Sequence, residues 1–293
     1  MQIEITPNAG HGVPFLLPEE LALDDSRLSV DLPGVVIPGR HGRRPYGMDR
    51  RLEPRSVTAS GSILGLNPQD AENLAEIIRG QLLGRGELWL RRFQGSGRFL
   101  RVQTQEVSHD YHRGHFQGSM FTLNIRFQAD APFWYADAYQ SVEQVIAASP
   151  TSWTLNQPGT SELQDPVIRI FCDAAAAGPL INPSLTNTTT GRTVAVTGSV
   201  QPGQALVIRS HPMVAYVGAV TLDQILTIWG VLSAMDYADA EPAAAANVLG
   251  SMSPAWLVDG WTIQPGDNQI QYSDDATSSH QGAVQIGWRP RYY

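Results

Sequence analysis

Residues 119–138 read SMFTLNIRFQADAPFWYADA. Phe121, Leu123, Ile125 and Phe127 alternate with polar neighbours, which predicts a strand with one buried face. The alternation breaks at Asp130 and Pro132, and Phe133, Trp134 and Tyr135 follow at once. Proline lacks the amide hydrogen a ladder needs and fixes its own φ, so it ends the strand and sets the exit direction. Rings beyond such a stop cover a large apolar area, while Trp and Tyr keep a polar tip. Phe127, Pro132, Phe133, Trp134 and Tyr135 are therefore expected to form a seam between two domains, 1–134 and 135–293, with a binding site as the alternative reading of the same rings.

Charge changes across the same junction. All 20 basic residues are arginine. Residues 1–137 hold 15 Arg against 16 acids, and residues 138–293 hold 5 Arg against 12, so the formal −8 sits almost wholly in the second half. Neither half has the net basic character that phosphate neutralisation requires, which argues against specific nucleic-acid binding. With one cysteine, Cys172, no intrachain disulfide framework exists. The start, MQIEITPNAGHG, lacks the basic and apolar regions of a signal peptide, and the most apolar window, 222–235, is too short and polar to span a bilayer. A soluble protein is expected.

Upstream of the junction, Val57–Ile63 reads as a strand. In NPQDAENLAEIIRGQLLGRG (67–86), Asn67 is a capping residue and Pro68 suits the first helical position. Ala71, Leu74, Ala75, Ile78 and Leu82 follow a helical stripe, ended by Gly84 or Gly86. GELWLRRF (86–93) and RFLRVQTQEV (98–107) predict a hairpin about Gln94–Gly97. Downstream, VIRIFCD (167–173) alternates, and hairpins are expected about Gln201-Pro202-Gly203 and Pro265-Gly266-Asp267. AVQIGWRPRYY (283–293) closes a β-sandwich. One insertion interrupts it: Leu222, Ile225, Leu226, Trp229 and Leu232 carry helical spacing, and EPAAAANVL (241–249) predicts a second short helix.

The order of these elements resembles the distal tail proteins (Dit) of siphovirus-type bacteriophages and of phage-like particles. RSVTASGSI (55–63), the capped helix, GELWLRRF and the FQADAPFWYAD junction carry the likeness in the first half. INPSLTN (181–187), the Pro-Gly turn at 202–203, TIQPGDNQIQYS (262–273) and AVQIGWRPRYY carry it in the second. The resemblance implies a mainly β chain: an N-terminal tail-tube-like β-sandwich with one packed helix, residues 1–134, then a C-terminal galectin-like β-sandwich, residues 135–293. It implies a homo-hexameric ring that joins the tail tube protein to tail-tip hub or baseplate proteins at the tip of the virion. The outer domain of such proteins holds receptor-binding proteins or touches cell-surface carbohydrate during host adsorption. The chain departs from the family in its insertion, 221–253, and in the arginine-rich loop RHGRRPYGMDRRLEPR (40–55).

That loop gathers Arg40, Arg43, Arg44, Arg50, Arg51 and Arg55. A conduit should not grip DNA, so Arg43, Arg44, Arg50 and Arg51 are expected to meet carboxylates of a neighbouring subunit, guanidinium forks being suited to such interfaces; a solvated loop is the alternative. The insertion stripe is a candidate docking site for a partner protein, or a cover for its own sandwich. His109, His112 and His115 would need a turn to converge on zinc. Ser108, His109 and Asp110 are adjacent on a strand, where side chains diverge, so they cannot form a relay. Asp24-Asp25 and Asp274-Asp275 read as solvated loops. No nucleotide, metalloprotease or hydrolase motif occurs, and neither catalysis nor a cofactor is expected. Trp153, Trp229, Trp256, Trp261 and Trp288 keep one other class open, a carbohydrate-binding module, against the simpler reading as core.

Overall fold

In the computed structural model the chain divides into two compact units, Met1–Trp134 and Tyr135–Tyr293. The structure describes residues 2–7, 12–25, 30–31, 34–36, 43–45, 51–52, 55–111, 120–129, 131, 133–162, 166–210, 213–219, 246–276 and 280–293. Both units are mainly β.

The first unit begins with β1 (Glu4–Thr6), β2 (Phe15–Leu16) and β3 (Ala22–Asp24). Short pairs follow: β4 (Val30–Asp31) with β7 (Arg51–Leu52), and β5 (Gly34–Val36) with β6 (Arg43–Pro45). β8 (Arg55–Leu64) leads to helix α1 (Pro68–Leu82), then β9 (Leu88–Arg91), β10 (Arg98–Tyr111) and β11 (Met120–Ala129). Their antiparallel order is β2-β1-β9-β10-β11-β8-β3. The predicted alternation on β11 holds: Phe121, Leu123, Ile125 and Phe127 are fully buried. They pair across with Ile63, Gly61, Ala59 and Val57 of β8. Gly61 permits β3 to approach closely, since a Cβ there would lie 2.2 Å from the Glu20 carbonyl oxygen.

Helix α1 forms as its sequence predicts. The Asn67 side chain accepts from the Asp70 amide at 2.9 Å, satisfying one of the otherwise unpaired first-turn donors. Ala71, Ala75, Ile78 and Leu82 are buried, while Leu74 is half-buried. The hairpin about Gln94–Gly97 is also present, with Leu100 opposite Leu90 and Gly95 at φ 76°.

β12 (Trp134–Ala136) spans the division between units. The second unit then runs through β13 (Gln140–Ile146), β14 (Thr151–Gln157), β15 (Val167–Cys172), β16 (Leu180–Ile181), β17 (Ser184–Asn187) and β18 (Arg192–Ala195). β19 (Ser199–Val200), β20 (Gln204–Ser210), β21 (Met213–Ala219) and β22 (Ala246–Asn247) precede helix α2 (Pro254–Asp259). β23 (Gly266–Ser273), β24 (Gly282–Trp288) and β25 (Arg291–Tyr292) complete it. Two antiparallel sheets, β13-β24-β15-β20-β21-β22 and β14-β23-β17-β18, share one apolar core. Ile168, Ile170, Leu206, Val284 and Ile286 of the first sheet and Leu155, Leu185, Val194 and Ile270 of the second all belong to it.

Several expectations are corrected. The turn at 201–204 closes as predicted, the Gln204 amide donating to the Gln201 carbonyl at 2.9 Å with Gly203 at φ 78°. The strands beside it do not pair with each other: β19 joins β16, and β20 joins β15 and β21. At Pro265–Gly266 no hairpin forms either. The Asn268 side chain supplies the missing partner, accepting from the Gln264 amide and donating to the Gln264 and Gly266 carbonyls, at 2.9, 2.8 and 3.0 Å. A side-chain amide thereby closes the turn internally and leaves β23 free to pair with β14 and β17. β15 does not alternate in burial, because its second face is covered too. Val167, Val207 and Tyr216 cluster there, and Arg169 is buried with its Nη1 donating to Gln285 at 3.3 Å. Within EPAAAANVL, Ala246–Asn247 form a strand on β21 instead of a helix. The helix α2 was not expected. Ser253, Pro254 and Gly260 frame it with local signals of start and stop.

Candidate functional site

Of the arginine-rich loop, Arg43 and Arg44 lie on β6 and Arg51 on β7, while Arg40 and Arg50 fall outside the described residues. Arg55 is no loop residue. It opens β8, is 6% exposed, and its guanidinium donates to the Asp25 carbonyl and stands 3.7 Å from the Asp25 carboxylate. Arg92 bonds the same carboxylate oxygen through Nε at 3.0 Å and Nη2 at 2.6 Å. Its guanidinium also lies 4.6 Å above the Trp134 ring, which is 2% exposed. Burial lowers the pKa of Arg55, opposed by the Asp25 charge and assisted by that of Arg92. Asp25 is thus the carboxylate that lets two guanidinium groups meet, contrary to its reading as a solvated loop. Beside it lies a cavity of about 390 Å³ lined by Ile3, Leu21, Leu23, Asp25, Arg92 and Phe93.

The seam residues divide by position. Phe127 is part of the first unit's core, Trp134 packs under Arg92, and Tyr135 meets the Arg291 guanidinium at 5.4 Å within the second unit. Phe133 is half-buried, and Pro132 lies outside the described residues.

The second carboxylate centre was missed in the same way. The Asp274 side chain is fully enclosed. Its Oδ2 accepts from the Tyr272 hydroxyl at 2.7 Å; its Oδ1 faces His280 Nδ1 at 2.8 Å and accepts from the Ala276 amide at 3.0 Å. The Ser149 hydroxyl accepts from the Asp274 amide at 2.8 Å and donates to its carbonyl at 3.0 Å. Burial, then Asp274, push the Tyr272 hydroxyl's pKa well up. This cluster ties the chain before β14 to the end of β23 and the start of β24. The Tyr272 hydroxyl and the Ala276 amide are spent on the carboxylate and the Ser149 hydroxyl on the Asp274 backbone, so the cluster has the chemistry of a clasp.

The adjacent Ser108, His109 and Asp110 do not assemble into a relay. Ser108, His109 and Asp110 are successive residues of β10; Ser108 Oγ donates to the Asn124 carbonyl at 3.4 Å, and His109 Nδ1 lies 3.3 Å from Arg79 Nη2. His112, His115 and the docking stripe Leu222, Ile225, Leu226, Trp229 and Leu232 lie outside the described residues. Among the described residues no group of three His, Cys, Asp or Glu is placed to hold a metal, and no helix is long and apolar enough to cross a membrane. Trp256, Trp261 and Trp288 are buried in the second unit's core, and Trp153 packs against it half-buried. The rings of Trp256, Trp261 and Trp288 are therefore not displayed for stacking on a sugar.

No protein-family model matches the chain, and no curated protein does. Among solved structures it is similar to the Dit (gp 19.1) protein of phage SPP1, a hub adsorption protein of phages that infect Gram-positive bacteria. The identity is 12%, the match covers 99% of each chain, and the TM-score is 0.62. Looser likenesses, at 9% identity over 98% of this chain and 97% of the other, are to the activated baseplate of phage p2 with Sr and with Ca, at TM-scores of 0.42 and 0.41. The chain therefore has the fold of a phage distal tail protein over essentially its whole length.

Proposed function

We propose that this chain is a structural distal tail protein. Six copies of the Met1–Trp134 unit form a ring at the tip of a phage or phage-like tail, joining the tail tube protein to hub or baseplate proteins. The Tyr135–Tyr293 unit is a galectin-like appendage that supports host adsorption, and the protein is not an enzyme. The observation that carries this reading is the match to SPP1 Dit over 99% of both chains, with both units included. A free carbohydrate-binding module, the other class considered, loses support from the burial of Trp256, Trp261 and Trp288.

The ring reading assigns Arg43, Arg44, Arg50 and Arg51 to subunit contacts, and Phe127, Pro132, Phe133, Trp134 and Tyr135 to the junction of the units. Electron-microscopic class averages and native mass should give a six-chain ring with a pore. Replacing the four arginines with serine should release monomers that keep the wild-type unfolding profile. A wild-type protein that stays monomeric at micromolar concentration sinks the proposal. A quadruple variant that remains hexameric removes only the arginines from the interface.

A further inference from the structure

We propose that the edge strand β14 is a strand-addition site, which takes up an extended, neutral-to-basic segment of another protein as one further antiparallel strand. The proposal does not rest on the ring.

The sheet order leaves β14 at an edge, and among the described residues it pairs only with β23. That pairing is continuous from Thr151 opposite Tyr272 to Gln157 opposite Gly266, so seven residues hold one regular extended conformation with no bulge. An edge of this kind presents backbone donors and acceptors to any extended chain, and proteins normally blunt it with charge, proline, a bulge, brevity or a covering element. The other described edges use these devices. β2 and β22 have two residues each and β3 has three. β18 has four, includes Arg192, and is covered at its end, where the Ser253 amide leading into α2 donates to the Ala195 carbonyl at 2.8 Å. β13 is as long as β14 but carries the exposed Glu143 at its centre.

Among the described residues, β14 uses none of them. Its sequence, TSWTLNQ, has no charge and no proline. Ser152, Thr154 and Asn156 are exposed on one face, and Leu155 and Gln157 anchor the other in the interior. The strand is held firmly from behind, and no described residue pairs with its other side. That combination selects a main-chain partner, because regularity of the backbone is the feature on offer.

Charge decides which chain that partner comes from. Residues 138–293 hold 5 Arg against 12 acids. Edge-to-edge pairing of two copies would bring two acidic units together, which like-charge repulsion disfavours. An extended segment that is neutral along its paired residues and basic beyond them meets no such penalty.

The test uses the full chain and a fluorescent heptapeptide of alternating threonine and valine with a tri-lysine tail, titrated by anisotropy at physiological salt. Two further peptides carry N-methyl groups on one or the other alternate set of backbone amides. Strand addition uses only one set, so methylation of that set should weaken binding about tenfold or more, and of the other about twofold at most. Hydrogen exchange in β14 should slow at alternate amides when the parent peptide is bound. Thr154→Pro or Trp153→Pro, one for each amide parity, should abolish binding; should either fail to fold, the methylation contrast on the wild-type chain still decides. Equal effects of the two methylations, or no saturable binding at millimolar peptide, overturn the proposal. So does concentration-dependent self-association that protects β14 without peptide, since a second copy would then be the occupant.

Discussion

Asp25 in the first unit and Asp274 in the second come from identical Asp-Asp doublets, and each organises its unit by a different route. Asp25 sits 18% exposed between two guanidinium groups, one buried and one half in solvent. Asp274 is sealed and is held by the Tyr272 hydroxyl and the Ala276 amide, with the partly exposed His280 imidazole 2.8 Å from its Oδ1. The first arrangement is redundant, since either arginine alone leaves the carboxylate paired. The second is not, since every donor has Asp274 as its acceptor. Redundancy at a surface and dependence in an interior predict opposite sensitivities to mutation.

The largest effect should therefore come from Asp274→Ala. It leaves the Tyr272 hydroxyl and the Ala276 amide without their acceptor in an enclosed site. An unpaired buried polar group costs about 1–3 kcal/mol, so a loss of roughly 2–4 kcal/mol is expected for the second unit. Thermal or urea unfolding followed by tryptophan fluorescence reads it, because Trp256, Trp261 and Trp288 lie in that core. Asp274→Asn keeps the shape and one oxygen and should lose less. An alanine variant within about 0.5 kcal/mol of wild type would mean that water replaces the carboxylate, and the clasp reading would fail.

Tyr272→Phe sharpens the same contrast and adds a pH signature. Losing its bond to the carboxylate should cost about 1–2 kcal/mol at neutral pH. Burial raises the hydroxyl's pKa in the folded protein above its ordinary value near 10. A raised folded value means that the stability tied to this proton is complete below about pH 10 and is lost as pH rises beyond it, where the unfolded chain ionises first. The wild-type protein should thus lose stability between pH 10 and 11 more steeply than Tyr272→Phe, and the gap between them should narrow. Parallel curves for the two proteins over that interval would show that Tyr272 ionises freely.

Both carboxylates were legible by parity and were misread by composition. Asp25 follows Leu21 and Leu23 at period two just past the end of β3, and Asp274 follows Ile270 and Tyr272 just past the end of β23, so each acid continues an inward-facing parity. Reading the doublets as solvated loops took residue type as the guide where period two was the better one. The same distinction separates other successes from failures. Helix α1 was readable because Asn67, Pro68 and the apolar stripe are local signals. The turn at 201–204 was readable for the same reason, yet its strands join different sheets, since pairing is a long-range choice that a turn does not encode. Asn268 closing its own turn left no signal beyond the Pro-Gly-x-Asn spacing itself, which suggested a hairpin. The cover on the second face of β15 was hidden because Arg169 looks like a solvent residue and is instead bonded to Gln285 and buried.

The smallest effect should be that of Arg92→Gln, and it tests the other half of the comparison. Arg92 is about half exposed and contributes an ion pair to Asp25 and a cation–π contact over Trp134. Exposed ion pairs are worth about 0.2–1 kcal/mol and exposed cation–π contacts about 0.5–1 kcal/mol, and Arg55 remains to hold the carboxylate. A loss of about 1 kcal/mol is expected, and the ion-pair part should shrink in 1 M salt while the packing of the side chain on the ring does not. Glutamine can still donate to Asp25, so the residual loss should follow the ring contact, which a change in Trp134 fluorescence reports. If Arg92→Gln instead costs more than about 2 kcal/mol, Arg55 alone cannot satisfy Asp25. The exposed centre would then be as dependent as the buried one, and exposure would not be what separates them.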